Sequence, residues 1–599
     1  MTVRARTTQE LIHWLEMGGG ARWVRLGALV VCGLVVSALL AWKQFHGATS
    51  EATLAQADMG RQIALGEGFT TRVNYPQAVA FFGAQGVRFD PSRAYPEVYQ
   101  APLYPMVIAG ALRMFRLLPH AWNDALFAPA PSPPFGFGAD YFLLGLNLAL
   151  FWLAVWLAFD LGRRLFGAPA GWLSAIALFV SVPVWQQVVA VNGTALMMVL
   201  ALGAFHAWWR AESAQDLRHA AAPLGALGAL CGALFLAEYS AGALVLVAAA
   251  GAARRFGGAS RWLSMGLVAC GFALVTAPWV VRNMAVTGLP VGLAVQNIAL
   301  KAGDTTAEPS VVRATLSAQL PAIDLNKLSN KVLSSLQENL RTRLWSGGAM
   351  WFFAFFAAGW LYAFRSGPVN RIRWLFAISL LVLIGAQAAL NSGESERQAV
   401  VWLSPLIIVF GAGFFFVLLS SHSALSAWPR ACAGALLVLQ SLPLVHDALD
   451  PHWLHFQYPP YFPVLLQGMR RQLDASGAAA RYGLMADVPA GLAWYGRTRA
   501  WAQPATLHDF YAVQVDQPTG ELLLTPKTLD RPFFSDLNAR PRAPGFQSAA
   551  VPRIGQWGEV YGGLLTGAMP PDFPLSSPQK LADNLYVLFN PSLPAARQR

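Results

Sequence analysis

The chain has 599 residues, 55% of them hydrophobic and 12% charged, whereas an average soluble domain carries about 25% charge. Too little polar side chain is left to coat a globule of this size, which excludes a soluble multidomain enzyme and indicates an integral membrane protein. The net charge of +12 is spread in small basic groups between apolar runs, so it reads as a topology signal and not as the footprint of a nucleic-acid partner.

The first apolar run, Trp23 to Trp42, follows Arg4, Arg6, Arg22 and Arg25 and has no small-residue cleavage site behind it. It reads as an uncleaved anchor with a cytoplasmic amino terminus. Residues 43–139 then form a first outer loop. Within it Leu54, Ala57, Met59, Ile63 and Leu65 predict a short helix close to the membrane, ended by Gly66 or Gly68, with Asp58 two turns inside. Pro102 to Leu118 is apolar but opens on prolines and carries Arg113 and Arg116, which suits an interfacial helix better than a span.

Further spans of the roughly 17–25 residues that a bilayer core requires are expected near Asp140 to Asp160, Ala170 to Ala190, Asn192 to Trp209, Leu224 to Ala237, Ser240 to Ala253 and Trp262 to Val281. After a second outer loop, residues 282–346, with a helical stretch from Leu325 to Leu344, come Gly348 to Phe364, Trp374 to Leu390, Val400 to Leu419 and Arg430 to Val445. With about eleven spans, the clusters Arg163-Arg164, Arg210 with Arg218, Arg254-Arg255 with Arg261, Arg365 with Arg371 and Arg373, and Arg430 all fall on the side of the amino terminus. The expected architecture is a polytopic α-helical membrane module, 1–445, followed by an outer α/β domain, 446–599. In that tail a helix from Val464 to Ala475, a strand at Tyr482 to Ala486, a turn at Asp487-Val488-Pro489, a helix to Tyr495 and a strand near Arg499 to Ala502 alternate as in a small sandwich. Glu238 is expected at the outer tip of a short hairpin.

No glycine-rich phosphate loop points to ATP or NAD, and no His or Cys pair has zinc spacing. Asp58, held beside the bilayer, is a candidate general base. The alternative is an ion pair with Arg61 at i+3.

Asp58 in a helix ending in Gly-x-Gly-Phe, Pro-Leu-Tyr-Pro (102–105), Gly-Arg-Arg-Leu-Phe-Gly (162–167), Pro-Trp-Val-Val-Arg-Asn (278–283) and Glu396-Arg397 followed by Pro405 together resemble the membrane glycosyltransferases of the GT-C superfamily, in particular the protein O-mannosyltransferases and the aminoarabinose transferase of lipid A. The likeness covers roughly Trp23 to Leu419. It implies that an inverting hexosyl- or pentosyltransferase takes a sugar from a polyprenyl-phosphate donor in the membrane lipid. The sugar then passes to a glycan, lipid or protein acceptor on the periplasmic side of the inner membrane. It further implies Asp58 as base, with Arg397, Arg282 and Arg61 on the donor phosphate, and Lys301 as a further cation. Arginine suits that role because its planar fork donates paired hydrogen bonds. Arg282 is otherwise a snorkelling anchor and Arg397 otherwise an ion-pair partner of Glu394 or Glu396. Glu97, Tyr104, Asn192 and Glu396 become candidates for acceptor or sugar, with an exposed loop acid as the alternative for Glu97.

The chain departs from the family at Asn192, near which relatives often carry a glutamate. Asparagine can bond a sugar but cannot take its proton. A divalent metal is the one cofactor left open, and a pair of carboxylates to hold it is incomplete in the sequence. A transporter or flippase, and an inactive homologue serving as an assembly partner, are the alternative functions. A transporter would carry polar groups at mid-membrane and repeated, broken spans.

Overall fold

The computed structural model describes residues 19–48, 50–91, 93–115, 126–128, 137–302, 304, 307–364, 366–393, 397–421, 426–449, 462–525, 551–582 and 584–593. The protein is a polytopic helical membrane protein with a six-stranded sheet attached to it.

Helix α1 (Gly19–Gln44) is followed by the first loop, which holds α2 (Glu51–Leu65), β1 (Thr70–Thr71), β2 (Val73–Asn74), α3 (Pro76–Ala84), β3 (Tyr95–Pro96) and α4 (Leu103–Phe115). Helix α2 stops where expected: Gly66 adopts φ 93°, and its N–H closes the last turn onto Gln62 and Ile63. Helix α4 has 13 residues, about 20 Å at 1.5 Å per residue, too short to cross a bilayer.

The helical body continues with α5 (Gly138–Phe166), α6 (Ala168–Phe179), α7 (Val182–Val189), α8 (Thr194–Ser213), α9 (Leu217–Ala237), α10 (Leu244–Arg255) and α11 (Ala259–Thr287). Then come α12 (Leu325–Glu338), α13 (Trp351–Ala358), α14 (Gly367–Leu390), α15 (Ser404–Ser421) and α16 (Pro429–Leu449). Seven helices of the described residues are long and apolar enough to span: α1 from Leu26, α5, α9, α11, α14, α15 and α16. Two apolar stretches are bent, one an expected span and the other the expected loop helix running into an expected span. The run from Ala170 to Ala190 turns by 56° between α6 and α7, where Pro183 restarts the helix. The stretch ending at Ser346 meets Trp351–Leu361 at 113°, with Met350 at φ 44° in the corner. Helices α9 and α11 approach so closely that a Cβ on Gly228 would lie 2.1 Å from the Val268 carbonyl, the small-residue packing by which helices associate in lipid.

Several of the basic residues are tied to acids that join helices. At one end of the body Asp160 of α5 binds Arg163 and Arg164 and lies 3.9 Å from His206 of α8. Buried Glu212, also of α8, binds Arg371 of α14 at 2.6 Å and lies 3.8 Å from Arg255 of α10. At the opposite helix ends Lys43 donates to the Ala448 carbonyl, joining α1 to α16.

The tail contains α17 (Pro463–Ala475), β4 (Gly483–Ala486), α18 (Pro489–Tyr495), β5 (Ala500–Ala502), α19 (Leu507–Asp516), β6 (Thr519–Leu524), α20 (Val551–Thr566), β7 (Ser576–Ala582) and β8 (Leu585–Phe589). The sheet order is β2-β5-β4-β6-β8-β7, parallel from β2 to β6 and antiparallel beyond. Leu466 and Met469 of α17 and Leu492 and Trp494 of α18 bury one face of it. Phe510 of α19 and Trp557 and Tyr561 of α20 bury the other. The first loop contributes to both layers and supplies the edge strand β2, so the sheet is built from two distant parts of the chain.

A polar cavity at the helix ends as candidate active site

Helix α9 ends at Ala237 because Glu238 takes an extended conformation (φ −152°, ψ 117°) before a 3₁₀ turn, Tyr239–Ala243. That break turns the Glu238 carboxylate sideways. Its Oε1 accepts from Asn391 Nδ2 at 3.4 Å, beyond the end of α14, and its Oε2 lies 3.7 Å from Arg397 Nε. Arg397 is 7% exposed; its Nη1 donates to the Ala237 carbonyl at 2.9 Å, and its own carbonyl accepts from Gln387 at 2.7 Å. The helix end, the carboxylate and the guanidinium therefore hold one another in place.

Glu238, Asn391 and Arg397 line a small, half-open cavity of about 50 Å³, together with Tyr99, Gln100 and Arg313. Arg313, in the segment between α11 and α12, lies with its guanidinium carbon 5.0 Å from the Tyr99 ring centroid, a cation–π contact that keeps the charge against the wall. The wall itself is fixed by Glu97. This residue is 1% exposed, and its Oε1 accepts from the Tyr99 and Gln100 N–H groups at 2.7 and 3.1 Å. Burial raises its carboxyl above the ordinary glutamate value, opposed by those two N–H groups and by Arg282 and Arg313. Glu97 is thus buried, not an exposed loop acid.

Arg282 backs the same loop. Its Nη1 donates to the Glu97 carbonyl at 2.6 Å and to Asn283 Oδ1 at 2.8 Å, its Nη2 to the Phe69 carbonyl at 3.1 Å, and it packs on the Trp279 ring. Lys301 donates to Ser334 at 3.0 Å. Glu396 lies outside the described residues.

Asp58 and Arg61 are elsewhere. Helix α2 offers Ala52 to the cavity, and Gln56 bonds Gln100 on its wall at 3.1 Å. Asp58 follows two residues later, about 200° around the helix. It is fully buried, with Oδ1 2.5 Å from Arg61 Nη2 and Oδ2 accepting the Arg72 N–H at 3.1 Å. Arg61 continues into the tail, donating to the carbonyls of Trp494 at 2.8 Å and Ala493 at 2.5 Å. Burial pulls its guanidinium down to about 10, with Asp58 resisting and Arg72 and Arg497 adding to the fall. This pair is the i, i+3 ion pair, and both oxygens of its carboxylate are engaged.

Tyr104 and Asn192 form a third place. The Tyr104 hydroxyl donates to the Val191 carbonyl at 2.6 Å and accepts from Asn147 at 2.8 Å, and burial pushes the phenol up to about 12. Asn192 bonds Gln187 and both the N–H and the hydroxyl of Thr194, so it fixes the start of α8. For a divalent metal the donor set is not assembled: among the described residues no three His, Cys, Asp or Glu side chains come together.

Of the predicted site residues, Arg397 lines the cavity, Glu97 and Arg282 stand immediately behind it, and Asp58, Arg61, Tyr104 and Asn192 are absent from its lining. Sequence reading missed Glu238 as a cavity residue and Arg313 altogether. A lone glutamate interrupting an apolar hairpin was the available signal for the first. Arg313 lies in a polar loop with no periodicity to single it out.

In overall structure the chain is similar to the Archaeoglobus fulgidus oligosaccharyltransferase in its apo form, with TM-score 0.47 and 14% identity over 82% of this chain and 69% of that one. It is also similar to ArnT from Cupriavidus metallidurans in the apo state, with TM-score 0.46 and 14% identity over 86% and 94% of the two chains. No protein-family model and no curated protein matches the sequence.

Proposed function

We propose that this protein is a membrane glycosyltransferase that moves a sugar from a polyprenyl-phosphate carrier to an acceptor hydroxyl on the periplasmic face of the inner membrane. The cavity of Arg397, Arg313 and Glu238 is its reaction site. The observation that carries this reading is the convergence of two guanidiniums and one carboxylate on one cavity at the ends of apolar helices. A lipid-borne donor needs such a location, because its isoprenoid stays in the bilayer while its head reaches the polar ends of the spans.

In the reaction the acceptor oxygen attacks the anomeric carbon, the bond from that carbon to the phosphate oxygen breaks, and the hydroxyl proton passes to a carboxylate. Arg397 and Arg313 neutralise the polyprenyl phosphate that leaves, stabilising charge as it develops. Glu238 is the carboxylate that lines the cavity, and we assign it the proton. Asp58, with both oxygens bound, acts as a fixed charge that anchors Arg61.

The test is transfer by the purified full-length protein, reconstituted with a polyprenyl-phosphate sugar, read as release of polyprenyl phosphate with loss of the donor. Compositional analysis of envelope glycans in a strain lacking the protein identifies the acceptor. Donor that stays intact with every sugar and acceptor tried, together with unchanged envelope glycans, sinks the proposal.

A further inference from the structure

Away from the cavity, the seam between the first loop and the tail places two arginines side by side. Strands β2 and β5 are parallel neighbours with Val73 opposite Ala500, and the Ala500 N–H bonds the Arg72 carbonyl at 3.0 Å. Arg72 and Arg499 therefore occupy the preceding register position, on strands about 4.8 Å apart. Like charges opposite one another in a sheet are destabilising. Both side chains are half-buried, and neither has a carboxylate within 4.0 Å among the described residues. Each is held instead by a carbonyl: Arg72 Nη1 donates to Arg497 O at 2.9 Å and Arg499 Nη1 to Pro91 O at 2.5 Å.

The surrounding charge does not cancel them. Arg61 and Arg497 add positive charge, and Asp58 is spent on Arg61 and on the Arg72 backbone N–H. Asp90 and Glu67 act on Arg499 only from beyond ion-pair distance. The Arg499 Nε is buried and has no acceptor. A pair of planar forks with a spare buried donor is shaped for an oxyanion. A phosphate monoester, with a charge of about −1.5 to −2 at neutral pH, matches the two guanidiniums, whereas a carboxylate leaves one of them uncompensated.

We propose that Arg72 and Arg499 form an anion site for a phosphate monoester, separate from the cavity of Arg397. The ligand is a soluble phosphomonoester or the same group on a membrane lipid, and the test distinguishes the two.

The full-length protein is labelled with phenylglyoxal and each arginine is read by mass spectrometry. In one arm it is held in detergent with glycerol 3-phosphate against chloride at equal ionic strength. In the other it is placed in nanodiscs of phosphatidylcholine with or without phosphatidic acid. At a phosphate concentration ten times the dissociation constant, labelling of Arg72 and Arg499 falls about tenfold, while exposed Arg88 and Arg93 stay labelled. Protection in the first arm alone identifies a soluble ligand, and protection in the second a lipid one. Absence of protection in both, or equal protection of all four arginines, overturns the site. Arg72→Gln and Arg499→Gln give a second reading. Each raises the apparent melting temperature without phosphate, by relieving the repulsion, and abolishes the rise that phosphate produces in the native chain. A rise retained at native size in both variants also overturns the proposal. None of these readouts depends on sugar transfer.

Discussion

Arg397 stands 3.7 Å from Glu238 while donating to the carbonyl of Ala237, the residue just before that glutamate. One guanidinium thus caps the end of a helix and faces the first side chain beyond it. Removing either charge disturbs the same few ångströms of cavity but different parts of a transfer reaction.

Glu238→Gln keeps the shape and the bond from Asn391 and removes basicity. Product formation is expected to fall by about 10²–10⁴-fold, with donor affinity little changed. Arg397→Ala is expected to weaken donor binding about ten- to hundredfold, the worth of a charge-assisted hydrogen bond. Titration of a polyprenyl-phosphate sugar beside single-turnover rates separates the two, and a Glu238→Gln protein of native rate removes the proton role.

Asp58→Asn leaves Arg61 buried without its counter-charge. Breaking one side of such a pair typically costs about 3–5 kcal/mol, so the apparent melting temperature drops sharply. The double change Asp58→Asn with Arg61→Gln recovers part of the loss. Full stability of the single variant shows that the ion pair contributes nothing.

Tyr104→Phe removes a hydroxyl that satisfies Asn147 and Val191 deep in the fold. A stability loss of about 1–3 kcal/mol is expected, as for other buried groups left without a partner. The Michaelis constants for donor and acceptor stay as in the native protein. A raised constant without a stability loss returns Tyr104 to the sugar.

Glu521 lies fully buried in β6, and neither carboxyl oxygen has a hydrogen-bond partner. Burial pushes its carboxyl up to about 8. The folded state holds this proton up to about pH 8, whereas the unfolded chain releases it above its ordinary value of 4.5. Its contribution to stability therefore declines as pH rises from 4.5 to 8 and levels off above. Glu521→Leu is expected to flatten that decline, with the largest gain in melting temperature near pH 9 and little near pH 4. An equal gain at both values refutes a titrating Glu521.

The elements with a strong periodic or breaking signal were legible in the sequence. Helix α2 ends at Gly66, and β4 and α18 stand within a residue of expectation. What escaped was set by tertiary contacts. Strand β2 has two residues, too few for any alternation to show, and it exists because β5 supplies its hydrogen bonds. Glu238 looked like a loop tip because nothing in the local sequence reveals Asn391 and Arg397 across from it. Asp58 illustrates the converse. Its helix was readable, but helical spacing to Arg61 could not say that the carbonyls of Ala493 and Trp494 would complete the arginine's partners.

The edge position of β2 constrains how the molecule is made. Its partner β5 lies more than four hundred residues further along the chain, so the strand leaves the ribosome with every helix from α5 to α16 still to be made. Until Ala500–Ala502 is synthesised, that stretch of the first loop lacks its strand partner. Final closure of the sheet is therefore a late, long-range step, and a polypeptide truncated before β5 would display an open strand to chaperones and proteases.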